Sequence, residues 1–189
     1  TAERLRQRPD LAHVQRGIQD ADHMQEAWEA MRDTVGSARG ARFVVQRNAP
    51  PGVPVSVRGI EDPLFGPLVS FGMSGFVSDL LGDRVLRIPP LDRRDAEEMV
   101  REIKAAPLLS GYRGSAPVDV DAVETLLLKV AQLKNDLPEV RELDLSVVLV
   151  SDKGTHVLSA QGTVEPAASA RSGWFERRMS DAMVDTLPG

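Results

Sequence analysis

Apolar and polar residues alternate one by one along residues 142–147, within an extended stretch at residues 141–150, and a short polar turn leads to a second extended segment at residues 154–164. Alternation with a period of two is typical of a β-strand, because successive side chains point to opposite faces. The pattern therefore predicts a buried β-hairpin. The polar face of its first strand is expected to carry Glu142, Asp144 and Ser146. The opposite face is expected to carry Leu143, Leu145 and Val147.

Apolar residues at steps of three and four predict three helices elsewhere in the chain. Asp20 is expected to cap the first helix, which ends at Gly36. Asp92 is expected to cap the second, and Asp119 or Asp121 the third. The apolar stripes comprise Ala21, Met24, Ala27, Trp28, Met31 and Val35 in the first helix, Ala96, Met99, Val100 and Ile103 in the second, and Val123, Leu126, Leu127, Val130 and Leu133 in the third.

Short β-branched runs bounded by proline and glycine predict further strands at residues 42–47, 53–60, 65–71 and 84–88. A tight glycine turn is predicted at residues 72–75. Strands joined by such short turns favour antiparallel pairing. The predicted fold is α/β of the α+β type, with a largely antiparallel sheet flanked by helices.

Composition narrows the class of protein. The chain has 189 residues, of which 42% are hydrophobic and 27% charged, which is typical of a globular protein. Its net charge of -5 argues against nucleic acid as a partner. No apolar run approaches the ~20 residues that span a bilayer, so no membrane partner is expected. The chain has no cysteine, which excludes thiol nucleophiles and cysteine-bound zinc and fits a cytoplasmic location.

Chemistry read from the residues alone leaves two interpretations of the hairpin. Glu142, Asp144 and Ser146 supply oxygen ligands suited to a divalent cation, but they also suit a solvated strand face. The turn at residues 72–75 could cradle a phosphate, although an ordinary turn is the favoured interpretation. The three histidines, His13, His23 and His156, are not at a metal-binding spacing.

Several motifs, in order along the chain, resemble the ATP-grasp domain of NDP-forming acyl-CoA synthetases, the family of acetate–CoA ligase and the succinyl-CoA synthetase β-subunit. The most specific is Pro-Leu-Leu-Ser-Gly-Tyr-Arg-Gly at residues 107–114. The others lie at residues 44–46, 49–53, 62–67, 71–75, 80–91, 92–103 and 142–145.

The resemblance implies an ATP-grasp-like domain over residues 1–166, with residues 167–189 as a C-terminal tail of helical spacing. The family's preceding subdomain, with its nucleotide-contacting lysine, is expected to lie before residue 1. By the same resemblance, vestigial nucleotide contacts fall on Val45, Gln46, Gly72, Gly75 and Asp79, and a vestigial metal contact on Asp144.

Departures from the family pattern fall at positions that carry phosphate or bind the ribose or the metal in the family. Gln7 stands where the family has the histidine that carries phosphate between sites, and Pro54 where it has a glutamate suited to the ribose. Ser146 and Ser159 stand where the family has its metal-binding asparagine and aspartate. Because two serines replace an amide and a carboxylate, metal ligands and charge are lost together. The departures predict a domain that keeps the fold and has lost phosphoryl chemistry.

The resulting hypothesis is a noncatalytic or regulatory module of a multidomain protein, with no catalytic residue and no cofactor, and its Arg-, Ala- and Val-rich composition favours a bacterial source. The family also occurs fused to GNAT acetyltransferases. The expected partner is a CoA-binding, synthetase-like domain or subunit, and an oligomer is possible. The alternative is an active ADP-forming acyl-CoA synthetase β portion that binds ATP or ADP and Mg²⁺. A third alternative is a scaffold without ligand.

Overall fold

The computed structural model describes residues 15, 17–35, 43–45, 47–75 and 80–166. The chain divides into two compact units, Thr1–Ala49 and Pro50–Gly189. Several predictions fall outside the described residues. They concern the tail at 167–189 and the side chains of Gln7, Gln46 and Asp79.

The described helix of the first unit is α1, Ala21–Val35. It begins as predicted, because the Asp20 carboxylate accepts a hydrogen bond from the backbone N–H of His23 at 2.9 Å. Its predicted apolar stripe is only partly buried: Met31 is buried, whereas Trp28 is exposed, with the Arg32 guanidinium 4.9 Å from its ring centroid. The predicted strand at 42–47 is wrong in its described part, where Phe43 forms an isolated bridge.

The second unit is built on a five-stranded sheet, and every neighbouring pair of strands is antiparallel. The strands are β1 (Val53–Asp62), β2 (Gly66–Met73), β3 (Arg84–Arg87), β4 (Val140–Ser151) and β5 (Gly154–Val164). Their order across the sheet is β3-β2-β1-β4-β5, so β1 is central. The predicted antiparallel α+β architecture and the predicted hairpin, now β4 and β5, are confirmed.

Helices α2 (Arg93–Glu102) and α3 (Val120–Asp136) follow in the same unit, with a 3-10 turn at Ala106–Leu108 between them. A capping box starts α2, because Asp92 and Asp95 each bond the other's backbone N–H. Of the two candidate caps for α3, Asp119 is the one used, and it accepts from Ala122 N at 3.0 Å. Both helices begin at a predicted cap.

The core lies where α2 and α3 pack against the sheet. Odd-numbered residues of β1 and β2 supply it, together with the apolar stripes of both helices. Its fully buried side chains include Val55, Val57, Val69, Phe71, Met99, Val123 and Leu127. The other face of β1 is left with the polar side chains Ser56 and Arg58.

Three details of the sheet differ from the prediction. Gly72 lies inside β2 and not in a turn, because β2 extends to Met73. The register of β4 and β5 shifts between Asp144 and Val147, so the strict alternation ends and Val148, not Val147, enters the core. The predicted buried hairpin is buried on β4 only, since β5 is an edge strand and largely exposed. Within the described chain, no helix is long and apolar enough to cross a membrane.

Candidate functional site

A charged cluster lies on the sheet face opposite the helices, where the central strand meets the hairpin. Arg58 of β1 is directly opposite Asp144 of β4, and Ile60 is opposite Glu142. Because side chains two residues apart share a strand face, Glu142 and Asp144 flank the Arg58 side chain. The structure thus brings both hairpin carboxylates next to a cation from a strand 84 residues earlier in the chain.

The contacts within the cluster are unequal. Arg58 Nη2 donates to Glu142 Oε1 at 2.8 Å, which is a short, charge-assisted hydrogen bond. Arg58 Nε lies 3.5 Å from Asp144 Oδ2, within ion-pair distance. The side chains are 35% exposed for Arg58, 42% for Glu142 and 26% for Asp144, so the cluster is half-buried and only partly screened by water.

Two buried atoms of this cluster have no hydrogen-bond partner among the described residues: Arg58 Nε and Asp144 Oδ1. The contact between Arg58 and Asp144 is therefore electrostatic and lacks a directed hydrogen bond. Asp144 Oδ1 is thus a buried acceptor without a hydrogen-bond partner among the described residues, an uncommon state for a carboxylate oxygen.

Ser146, which follows the two carboxylates on β4, forms a hydrogen bond through its backbone carbonyl. The Ser146 carbonyl accepts a hydrogen bond from Ser74 Oγ at 2.6 Å, and Ser74 N donates to the Pro54 carbonyl at 3.0 Å. These bonds tie the end of β2 to β1 and β4. Ser159 lies on β5 opposite Val147, at the register shift. The segment after β2 is thus a structural link between three strands.

The residues predicted to bind nucleotide are placed as follows. Val45 lies in the first unit and is 74% exposed. Gly72 is needed for packing, since a Cβ there would lie 2.7 Å from the Asp83 carbonyl oxygen. Gly75 has φ +113°, a conformation that favours glycine. Gln46 and Asp79 lie outside the described residues, and these predictions remain predictions.

The residues present do not fit a magnesium site well. Mg²⁺ requires near-octahedral oxygen coordination, usually from one or two carboxylates plus phosphate and water. Here the Glu142 carboxylate is committed to Arg58, and the guanidinium charge lies within ion-pair distance of Asp144. A cation at Asp144 would meet that positive charge at close range. In the described parts of the chain, no group of three or more His, Asp or Glu side chains could hold a metal ion.

Sequence reasoning missed Arg58. Its signal was present in β1, where Ser56 and Arg58 are the polar partners of the apolar positions Val55 and Val57. That alternation places Arg58 on the face opposite the core, but the pairing of β1 with β4 was needed to set it against Asp144.

Two other polar features lie away from this cluster. A shallow cleft of about 510 Å³ at the turn end of the hairpin is lined by residues of α3 and by Thr155. Its Asp119 is already used as the helix cap. Glu124 is buried between α2 and α3, and burial, together with the charges of Glu97 and Asp121, raises the pKa of its carboxyl. Neither feature joins the charged cluster on the opposite face.

The antiparallel five-stranded sheet, its helical layer and its polar outer face define an ATP-grasp-like α+β protein. Comparison with known proteins agrees, since the ATP-grasp domain family matches residues 1–164. The chain belongs to this family.

Its relatives include subunit β of acetate–CoA ligase [ADP-forming] I from Pyrococcus furiosus, 36% identical over 144 residues, which are 72% of this chain and 62% of the relative. The acetate–CoA ligase [ADP-forming] I of Archaeoglobus fulgidus is 38% identical over 79% of this chain and 23% of its own length. The chain thus spans less than two thirds of these curated relatives.

Among solved structures, similarity extends to the dinucleotide-forming acetyl-coenzyme A synthetase 1 of Ca. Korarchaeum cryptofilum in complex with coenzyme A and Mg-AMPPCP. The TM-score is 0.76 at 30% identity, covering 87% of this chain and 74% of that one. The fold and the family are therefore those of the ATP-grasp portion of NDP-forming acyl-CoA synthetases.

Proposed function

We propose that this chain is a noncatalytic, regulatory ATP-grasp-like module of an acyl-CoA synthetase-like protein. The observation that carries the proposal is the ion contact of Arg58 with Asp144 and Glu142, which sets a fixed positive charge against the two carboxylates of β4. A metal that bridges nucleotide phosphates needs those carboxylates free. The side chains at Ser146 and Ser159, which by the resemblance replace an amide and a carboxylate ligand, support the same conclusion.

Loss of phosphate transfer is the second element of the proposal. Gln7 occupies the place of the phosphate-carrying histidine in the family pattern. An amide nitrogen is not nucleophilic enough to form a phosphoramidate, so this chain would not carry phosphate between two sites. The proposed role is to pack on a CoA-binding, synthetase-like partner in the cytoplasm. A parent protein fused to a GNAT acetyltransferase is the form that we favour.

Isothermal titration of the full-length protein with ATP and MgCl₂ tests the proposal. We expect no micromolar, magnesium-dependent binding. The β-subunit of the Pyrococcus furiosus acetate–CoA ligase, titrated under the same conditions, is the positive control. Micromolar binding by this protein that disappears in EDTA and in the Asp144→Asn variant would contradict the proposal.

An active ADP-forming acyl-CoA synthetase is the second candidate, because Asp144 Oδ1 is buried without a hydrogen-bond partner in the described chain and offers one metal-binding oxygen. Relatives at 36–38% identity are named as such ligases. This candidate requires a phosphohistidine on the protein or on its partner. Incubation with ATP labelled at the γ-phosphate would then give acid-labile protein label that acetyl-CoA and ADP alter, and absence of label at saturating substrate argues against it.

A further inference from the structure

We infer that Arg58 is the resident cation of this sheet face and holds Glu142 and Asp144 in place of a divalent metal. The inference deepens the proposed loss of metal chemistry and rests on it, since it names the residue that closes the site. Removal of the guanidinium is then expected to expose a pair of carboxylates that can take up a divalent cation.

The register of the sheet puts the guanidinium between the carboxylates. Arg58 belongs to the central strand, and its backbone is paired on both sides, with Ser70 of β2 and Asp144 of β4. The backbone of Arg58 therefore cannot shift without breaking two ladders. Its side chain reaches Glu142 at 2.8 Å and Asp144 at 3.5 Å from a fixed starting point.

The chemistry of arginine makes this positive charge a permanent part of the cluster. Glu142 and Asp144 are like charges two residues apart on one face of β4, and without a cation they would repel each other. A guanidinium is a permanent cation in proteins, and this one is bound covalently to the chain. The cluster therefore needs no free metal, and a metal ion would have to compete with a charge that cannot leave.

Arg58 contacts the two carboxylates unequally, and this difference makes the inference testable. Glu142 receives a directed hydrogen bond, whereas Asp144 has only an ion contact and keeps one buried oxygen without a partner among the described residues. If the guanidinium is removed and its aliphatic stem kept, both carboxylates face the same emptied position. Two carboxylates and water are a sufficient, weak ligand set for Mn²⁺ or Ca²⁺.

The test uses the whole 189-residue chain and thermal unfolding in EDTA, in MnCl₂ and in NaCl of equal ionic strength. We expect the Tm of the wild type to be the same in MnCl₂ and NaCl. Arg58→Met is expected to unfold at lower temperature in EDTA and to gain about 3 °C or more in 10 mM MnCl₂, the shift that a site of roughly millimolar affinity gives. The double variant Arg58→Met, Asp144→Asn is expected to lose the gain.

A matched control is Arg94→Met. Arg94 pairs with Glu98 at 3.0 Å on the exposed surface of α2, so its removal also frees a carboxylate, but on a helix surface away from Glu142 and Asp144. No manganese-dependent gain is expected there. If Arg58→Met does not fold, Arg58→Gln takes its place, since the amide keeps a hydrogen bond to the carboxylates without the charge.

Two outcomes would overturn the inference: a folded Arg58 variant without a manganese-dependent Tm gain, or a gain that survives Asp144→Asn. Its failure is distinguishable from that of the proposed function. A manganese-dependent gain in Arg58→Met, together with micromolar Mg-ATP binding by the full-length protein that survives Asp144→Asn, would leave the inference standing and refute the noncatalytic proposal. If the variant shows no manganese-dependent gain and the wild type does not bind Mg-ATP, the inference fails and the noncatalytic proposal stands.

Discussion

Lys134 is a charged side chain inside the core, and its replacement is the sharpest test of how this unit is held together. The residue is 0% exposed. Its Nζ lies 3.0 Å from Glu61 Oε2 at the end of β1, 2.6 Å from the Val140 carbonyl and 3.3 Å from the Arg141 carbonyl. One ammonium group thus connects the end of α3 to the end of β1 and the start of β4.

Lys134→Met keeps the apolar stem of the side chain and removes these three contacts. Breaking a buried ion pair from one side costs about 3–5 kcal/mol. The Glu61 side chain is 21% exposed, so water reaches it and reduces the penalty for its charge. Each carbonyl that loses its donor adds about 1 kcal/mol, the lower end of the cost of a buried unpaired acceptor. We expect the free energy of unfolding to fall by about 3–4 kcal/mol, which corresponds to a Tm lower by roughly 6–16 °C.

Urea titration followed by circular dichroism measures this loss through the midpoint, with the m-value as a check that the two-state transition is unchanged. Lys129→Met is the matched control, because Lys129 lies on the same helix with an exposed side chain, and a change within about 0.5 kcal/mol is expected. A loss below about 1 kcal/mol for Lys134→Met would refute the reasoning, because it would mean that the buried ammonium contributes no more than a neutral side chain.

Two further predictions follow from neighbouring residues. Gly59→Ala is expected to destabilise the unit by about 1–3 kcal/mol, because the new Cβ would lie 2.7 Å from Lys134 Cγ. Urea titration measures the loss. Gly66→Ala is the comparison: no atom lies within 4 Å of its Cβ but φ is +75°, so it shows the effect of backbone strain without crowding. The raised pKa of Glu124 means that the folded state holds its proton more tightly than the unfolded state, so stability falls as pH rises from the ordinary value of 4.5 through the folded pKa. Glu124→Gln should therefore stabilise the protein more at pH 7 than at pH 4, and equal effects in urea titrations at the two pH values would contradict this.

The local elements of this fold could be predicted from residues that lie close together in sequence. Asp20, Asp92 and Asp119 mark helix starts because each side chain bonds a backbone N–H only three residues away. The alternation in β1 and β4 predicts strands because the apolar residues must share one face to be buried. These signals need no knowledge of the rest of the chain.

The candidate site depended on contacts across the sheet. The hairpin pattern alone allowed a metal site or a solvated face at Glu142 and Asp144, and it contained no information about the strand that pairs with β4. Arg58 is 84 residues from Glu142, and Lys134 is 73 residues from Glu61. The register shift after Asp144 could not be predicted from the sequence either, because it depends on how β4 pairs with β1 and β5.

The sequence by itself thus predicted the three helices, most of the strands and the family, because each rests on local periodicity or on residue identity at a motif position. Only the tertiary structure decided that the carboxylates of the hairpin face an arginine and not open solvent. The physical reason is that charge acts through space: Glu142 and Asp144 acquire their role from a cation that the order of strands, and not the order of residues, brings beside them.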